Sequence, residues 1–552
     1  MKKLLLSFTL CFLFAAVNAQ TKYFRLSYND DPSTTISIGW SGADGTVYYG
    51  TTDQGTDFAA YPNSQAVDRT ENHRGMDNRF VNVKGLIPNT VYYFVVRDDS
   101  GNLSQRYSFL TISDNPDQPL SFINGGDTRL AGPLVEGPCD CRNDRIRGNK
   151  LLAKLRPDFV VFNGDFVLNS IGSQPNVEWD KWFQDWELTT AEDGRLFPLM
   201  IATGNHEDDL ANITFGDPNF RDVYKLFNIP VKDVYYALNF GGNLIRMYTL
   251  NSELHACWDA DQLNWLTEDM RNYSTASNSP YWKMVNYHQP MVPNSHYDRR
   301  NDMYNCWAPL FDQYHARLVM ESHSHTMKTT YPISIDANVP YDFDNAGFSI
   351  DNECGTVYIG EGNWAAPQRG ELDFRPRVWT RQLAEIRSYF YIQVSKTQIK
   401  IYSPTFGTNE MVDNVTTATD NELGSDLPGG VTLFDQFFYT DDVSDVYTIE
   451  NGNDNCLDFV QDPTVGLNDN VVKKAKIYPN PVNDKLYIQL DQTANDVQIK
   501  VYDALGKECK GFEMKQISGT KYVINAQSLC SKVGYVLIKS NGDSETHKYL
   551  KP

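Results

Sequence analysis

The sequence predicts a multidomain chain: an N-terminal β-sandwich, a central α/β sandwich and a small C-terminal β-sandwich. Three observations carry this. A length of 552 residues exceeds what one core holds. Period-two alternation with turn residues between the runs marks both ends of the chain. Between them, short apolar runs alternate with helical segments. Aromatics at 13%, mostly Tyr and Phe, suit the β-rich reading.

In chain order, Lys2-Lys3, an apolar run over residues 4–17 and the small residues of Val17-Asn18-Ala19 read as a secretory signal over residues 1–19. The run is short for a membrane span, and no other stretch is long and apolar enough for one. Residues 20–113 read as the first sandwich. Alternation appears at 35–40, 46–50 and 91–96, turn residues lie at 42–45 and 88–89, and Trp40 is the expected core aromatic. Residues 114–119 form a polar, Pro-bearing joint. The α/β region runs from 119 to 403, with helices expected over 147–156 and 260–272, the second capped by Asp259 or Asp261. Residues 404–470 are acidic and irregular and read as an extended linker. Residues 471–552 read as a small antiparallel sandwich.

The formal charge is −21. Such a chain repels nucleic acid and anionic membranes at long range, so no nucleic-acid partner is expected. An anionic substrate would need local positive charge, which bound divalent cations supply. Cys11 falls in the signal, leaving Cys139, Cys141, Cys257, Cys306, Cys354, Cys456, Cys509 and Cys530. An even number in an exported chain suggests disulfides, with Cys509–Cys530 the simplest pair.

The chemistry lies at the ends of five apolar runs. They lead in turn to Asp127, Asp165, Asn205-His206, His288 and His323-Ser-His325. A carboxylate has two oxygens and can bridge two cations. Paired cations about 3.5–4 Å apart clamp the attacking and leaving oxygens of a phosphoryl transfer. Asn supplies a neutral oxygen, and His206 can donate to a phosphoryl oxygen. Gly before each Asp lets the backbone turn sharply out of its strand. A lone His at position 288 is commonly a core residue; five such ends in succession describe strand ends converging on a metal site.

The order Gly-Asp, Gly-Asp, Gly-Asn-His-Glu, His, His-x-His resembles the calcineurin-like metallophosphoesterases, and most closely their purple acid phosphatase branch. The stretch from His323 to Ile333 and the strand at 355–362 agree with it. The resemblance implies a fibronectin-III-like domain over residues 20–113 and a catalytic domain over 119–403. It implies two metal ions, Fe with Zn or Mn. Asp165 matches the bridging carboxylate. Asn205, His288 and His323 match the ligands of the divalent ion; Asp127 and His325 match ligands of the other. His206 matches a phosphate contact. His296, eight residues after His288, is the expected proton donor to the leaving alcohol.

Three departures stand out. Leu168 replaces the tyrosine that gives purple members their colour, so a colourless protein is expected. Arg129 stands where other metallophosphoesterases have a histidine, and its fork can hold a phosphate. Ser322 replaces the usual glycine before His-x-His. The first metal is therefore short of a ligand, for which Cys139, Cys141 or Asn149 are candidates, although a disulfide or a helix surface explains them as well.

At the C-terminus, Ile477-Tyr-Pro-Asn-Pro-Val-Asn-Asp, Val501-Tyr-Asp-Ala-Leu-Gly506 and Lys548-Tyr-Leu-Lys551 resemble a type IX secretion sorting domain over residues 471–552. This implies the type IX machinery as partner and a Bacteroidetes-type export route to the medium or cell surface. The expected activity is hydrolysis of small phosphate monoesters by a hydroxide on the metals. The alternatives are a phosphodiesterase or nucleotidase with the same metals, and a non-catalytic surface binding protein with a degenerate site.

Overall fold

A computed structural model of the chain describes residues 21–131, 139–169, 173–207, 222–275, 278–295, 298–336, 338–339, 344–370, 374–419, 427–435, 446–451, 475–478, 482, 484–490, 497–503, 509–529, 531, 533–540 and 543–551. The signal region, His296, Cys456 and Cys530 lie outside these residues. The chain divides into two compact units, Met1–Phe459 and Val460–Pro552.

The first unit is built on two large sheets. One has ten strands. At its centre Leu120–Gly125, Phe159–Phe162 and Leu199–Ile201 run parallel. The other has seven strands, with Ile245–Thr249, Trp282–Asn286, Ala316–Met320 and Val357–Gly360 parallel. Side chains alternate across the second sheet. Met247, Met284, Leu318 and Val357 share a core with Phe122, Val160 and Leu199 of the first sheet. Tyr248, Val285, Val319 and Tyr358 face the other way, onto Leu266, Met303 and Phe311 of the helices Ala260–Asn272, Asn301–Cys306 and Ala308–Gln313. Both faces of these strands are buried, which accounts for apolar residues at consecutive positions, such as Met284-Val285 and Leu318-Val319-Met320.

The N-terminal strands are continuous with the first sheet. Lys22–Ser27 pairs parallel with Leu199–Ile201, with Ser27 opposite Leu199, and carries Thr35–Ser41, Met76–Lys84 and Arg69–His73 outward. Their partner sheet is Asn63–Ala66, Gly45–Gly50, Val91–Asp98 and Tyr107–Leu110. Trp40 is fully buried between them. Arg25 fastens the junction from within. Its guanidinium donates to Leu226 O at 2.7 Å, Asn78 Oδ1 at 2.7 Å and Tyr23 O at 2.9 Å, and faces the ring of Phe183 at 4.6 Å.

The helix expected over 147–156 begins earlier, at Cys141, and ends at Leu155. Its first turns bury Asp144 and Arg145, which pair with Arg387 and Asp185; inward-facing charges hid the apolar period there. The helix Ala260–Asn272 is capped by Asp259, whose side chain accepts the Gln262 N–H. The stretch 404–470 does more than link. Helix Asn409–Asp413 receives Lys154 Nζ on Val412 O at 2.8 Å. Strand Val446–Glu450 pairs with Gln398–Tyr402, and Ile449 is buried.

The second unit pairs a four-stranded sheet with a three-stranded one. Leu486, Ile488 and Ile524 from the first meet Val501, Val536 and Ile538 from the second in one core. Among the described residues, no helix is long and apolar enough to cross a membrane.

Candidate metal centre

Every motif residue within the described chain leaves its strand at the carboxyl end, where open α/β sheets place their sites. The backbone there is unusual. Asp127 (φ 56°), Asp165 (54°), His323 (74°) and His325 (58°) all adopt the left-handed region. Each costs about 1–2 kcal/mol for an L-residue. Strain of this kind gathers at functional sites.

These side chains converge in two buried groups. Asp165, His288 and His323 form one, and Asp127, Asp165 and His325 the other, each group's ligand atoms lying within 4.8 Å of one another. Asp165 belongs to both. In the first group Asn205 Oδ1 lies 3.0 Å from His288 Nε2 and 2.8 Å from His323 Nδ1, and those two nitrogens are 3.3 Å apart. His288 Nε2 is 3.3 Å from Asp165 Oδ1. In the second, His325 Nε2 is 3.2 Å from Asp127 Oδ1, a buried oxygen that accepts no hydrogen bond.

The groups fit metal ions on chemical grounds. His288 Nδ1 sits 2.8 Å from Asn163 O and His325 Nδ1 2.7 Å from Pro367 O. Each ring donates that N–H to a carbonyl, so the Nε2 lone pair points into the cluster, the arrangement of metal-binding histidines. The charges agree. Burial would raise the Asp165 carboxyl, but the imidazoles of His288, His206 and His323 hold it well below its ordinary range. Burial would lower His288, but Asp165, then Asp127 and Glu253, raise it to about 10. The carboxylates call for a cation at this spot. Burial, with the charge of His288, keeps His323 neutral and able to ligate.

Glu207 supports the loop beneath. Its carboxylate accepts the N–H groups of Gly204 at 2.9 Å, Asp165 at 2.8 Å and Phe166 at 2.8 Å. The Gly-Asn-His-Glu motif contained it, but its cradle role depends on a neighbouring strand end. Ser322 was legible only as a departure. Its hydroxyl and the His323 N–H both donate to Asp127 Oδ2.

The remaining expected residues are placed as follows. His206 donates its N–H to Asp165 Oδ1 at 3.0 Å, with Nε2 3.8 Å from Oδ2. Arg129 is buried, with Nε 4.0 Å from Asp165 Oδ2. Leu168 is buried. Of the candidates for the missing ligand, Cys139 and Cys141 are bonded to each other. Asn149 donates its side-chain N–H to Asp185 O at 2.7 Å, and its buried Oδ1 accepts no hydrogen bond. Cys257 pairs with Cys306, and Cys354 and Cys509 are also disulfide-bonded.

Three parts of the chain match known families. Residues 21–111 match the purple acid phosphatase N-terminal domain, residues 139–327 the calcineurin-like phosphoesterases, and residues 476–551 the secretion system C-terminal sorting domain. Two uncharacterised Mycobacterium tuberculosis proteins are each 23% identical over 390 residues, covering 64% of this chain and 71% of the relative. The purple acid phosphatase PPD1 from yellow lupin (Lupinus luteus) seeds shares the fold with a TM-score of 0.54 and 16% identity, over 70% of this chain and 73% of that one. The PhoD structure does so with a TM-score of 0.50 and 11% identity, over 69% and 85%. The chain carries a calcineurin-like phosphoesterase domain over residues 139–327, a purple acid phosphatase N-terminal domain before it and, after it, a sorting domain that marks it for export.

Proposed function

We propose that the chain is a secreted phosphatase that holds two metal ions and hydrolyses small phosphate monoesters. The observation that carries this is the sharing of Asp165 between two buried groups of ligands. Two cations bound there would acidify a water to act as nucleophile and offset charge on the transferring phosphoryl group. Fe with Zn or Mn is the proposed pair, since mixed N and O donors suit all three.

The chain's own residues orient the ester. Asp165, Asn205, His288 and His323 would hold one ion; Asp127, Asp165 and His325 would hold the other. His206 lies at the edge of the cluster with part of its ring exposed, suited to donate to a phosphoryl oxygen. Arg129 borders the same carboxylate and offers a planar fork to two further oxygens. His296 is the proposed donor to the leaving alcohol, from its place eight residues after His288.

The test is metal analysis of the purified chain with turnover of an aryl phosphate monoester and of the matching diester. Two equivalents of metal and faster monoester turnover are expected. Faster diester turnover would replace the reading with a phosphodiesterase, and a metal-loaded chain inert to both would end it.

A further inference from the structure

Behind the ligands lies a polar core that the reaction does not touch. Lys328 is 1% exposed. Its ammonium lies 2.7 Å from Glu321 Oε2 and 2.7 Å from Glu361 Oε1, and donates to Val292 O at 3.1 Å. The carboxyls are themselves engaged. Glu321 Oε1 accepts Tyr287 OH at 2.9 Å and Met291 N–H at 2.8 Å. Glu361 accepts Asn294 N–H at 2.9 Å and Thr326 Oγ1 at 3.0 Å.

The elements tied together here are those that carry ligands. Glu321 directly precedes Ser322 and His323. Thr326 directly follows His325, and its N–H donates to Glu361 O. Glu361 precedes Gly362, whose backbone lies so close to Asp127 that a Cβ there would sit 1.8 Å from Oδ2. Through Glu361 and Thr326 these links reach Asp127 and His325; through Glu321 and Tyr287 they also reach His323 and His288. The Asp165–His288–His323 group has further fastenings of its own: Asp165 by Glu207 and the His206 N–H, His288 by Asn163 O.

We infer that Lys328 is a positioning residue that sets the Asp127–Asp165–His325 group for its metal and bears less on the Asp165–His288–His323 group, which has fastenings of its own. The inference rests on the metal-centre reading above. Removing the ammonium leaves two carboxyls facing each other in a dry interior. That cannot persist without a proton, a water or a shift of Glu361 and Glu321. Any of these moves Gly362 and Ser322, which flank the Asp127 carboxylate, and Thr326 beside His325.

The test is Co2+ titration of the metal-free full chain, followed by its visible absorption, for wild type, Lys328→Met and Asp127→Asn. Wild type is expected to take two equivalents. Asp127→Asn identifies the step that belongs to its group. Lys328→Met should weaken that same step by about 10–100-fold, the usual cost of losing a residue behind a ligand, and weaken the other step by a smaller factor. Glu361→Gln keeps the Lys328–Glu321 pair, guards against misfolding of Lys328→Met, and should weaken the same step to a lesser degree. Two unchanged steps, or two steps weakened alike in folded protein, would overturn the inference alone. A wild type that takes up no Co2+ would overturn the metal centre and the inference together.

Discussion

Ser322 donates its hydroxyl to Asp127 Oδ2 across 2.5 Å, and the neighbouring His323 N–H donates to the same oxygen at 2.6 Å. The hydroxyl that replaces a glycine therefore orients a carboxylate whose other oxygen faces His325. Ser322→Gly should leave the fold intact, since the position is buried within an already tight turn. It should cost about tenfold in affinity for one metal equivalent, read by calorimetric titration, while the other equivalent binds as before.

Asp165 is the shared member of both groups, so Asp165→Ala is expected to abolish binding of both metals and all turnover. His323→Ala removes a ligand from one group only and should leave about one equivalent bound with activity lost. Metal analysis after gel filtration distinguishes the two outcomes. Equal metal content in the two variants would show that the groups do not share Asp165 as drawn.

Arg25 is fully buried, and burial lowers its guanidinium to about 9. Arg25→Met would keep much of the packing against Phe183 but strand the acceptors Leu226 O and Asn78 Oδ1. We expect a loss of about 2–4 kcal/mol in urea unfolding of the first unit. The loss should appear without any change in metal stoichiometry, because the hydrogen bonds of Arg25 go to Leu226, Tyr23 and Asn78 and to none of the ligands.

His315 follows the helix Ala308–Gln313 with φ 54° and no hydrogen-bond partner on either ring nitrogen. Burial first, then the charges of Lys283 and Arg317, lower it from 6.5 to about 4, with Asp351 opposing. Its folded value lies below its unfolded one, so the unfolded chain binds the proton more tightly. Stability from this position is present above pH 6.5 and is lost as the pH falls toward 4. His315→Asn, tolerant of the left-handed region, should hold its Tm over that window while the wild-type Tm declines.

Leu168 is buried where purple relatives of the resembling family carry a tyrosine. Iron-loaded protein is expected to show no violet band. A visible charge-transfer band would mean that another tyrosine reaches the iron.

The ligands could be read from the chain because each follows a short apolar run, and a strand buried on both faces is apolar at consecutive positions. Residues 159–162 and 318–320 are examples, both fully buried. The supporting groups could not be read that way. Glu207, Ser322 and Lys328 owe their roles to atoms supplied by other strand ends, and the sequence holds no sign of which end lies opposite. The union of the first sandwich with the central sheet was hidden for a similar reason. Residues 22–27 alternate as any edge strand would, and only the placement of 199–201 beside them reveals an interior position. Residues 446–450 were masked by acidic surroundings, although Ile449 faces the core.

That union governs when the molecule can fold. Ser27 waits for Leu199, and the sheet is not complete until Val446–Glu450 joins its far edge. Pairings so distant along the chain form slowly. A polypeptide emerging N-terminus first therefore pairs one edge of its opening strand early, with Thr35–Ser41, and keeps the other edge unpaired until Leu199–Ile201 has followed. The ligand-bearing turns are likewise drawn together only once strands distant in the chain have arrived.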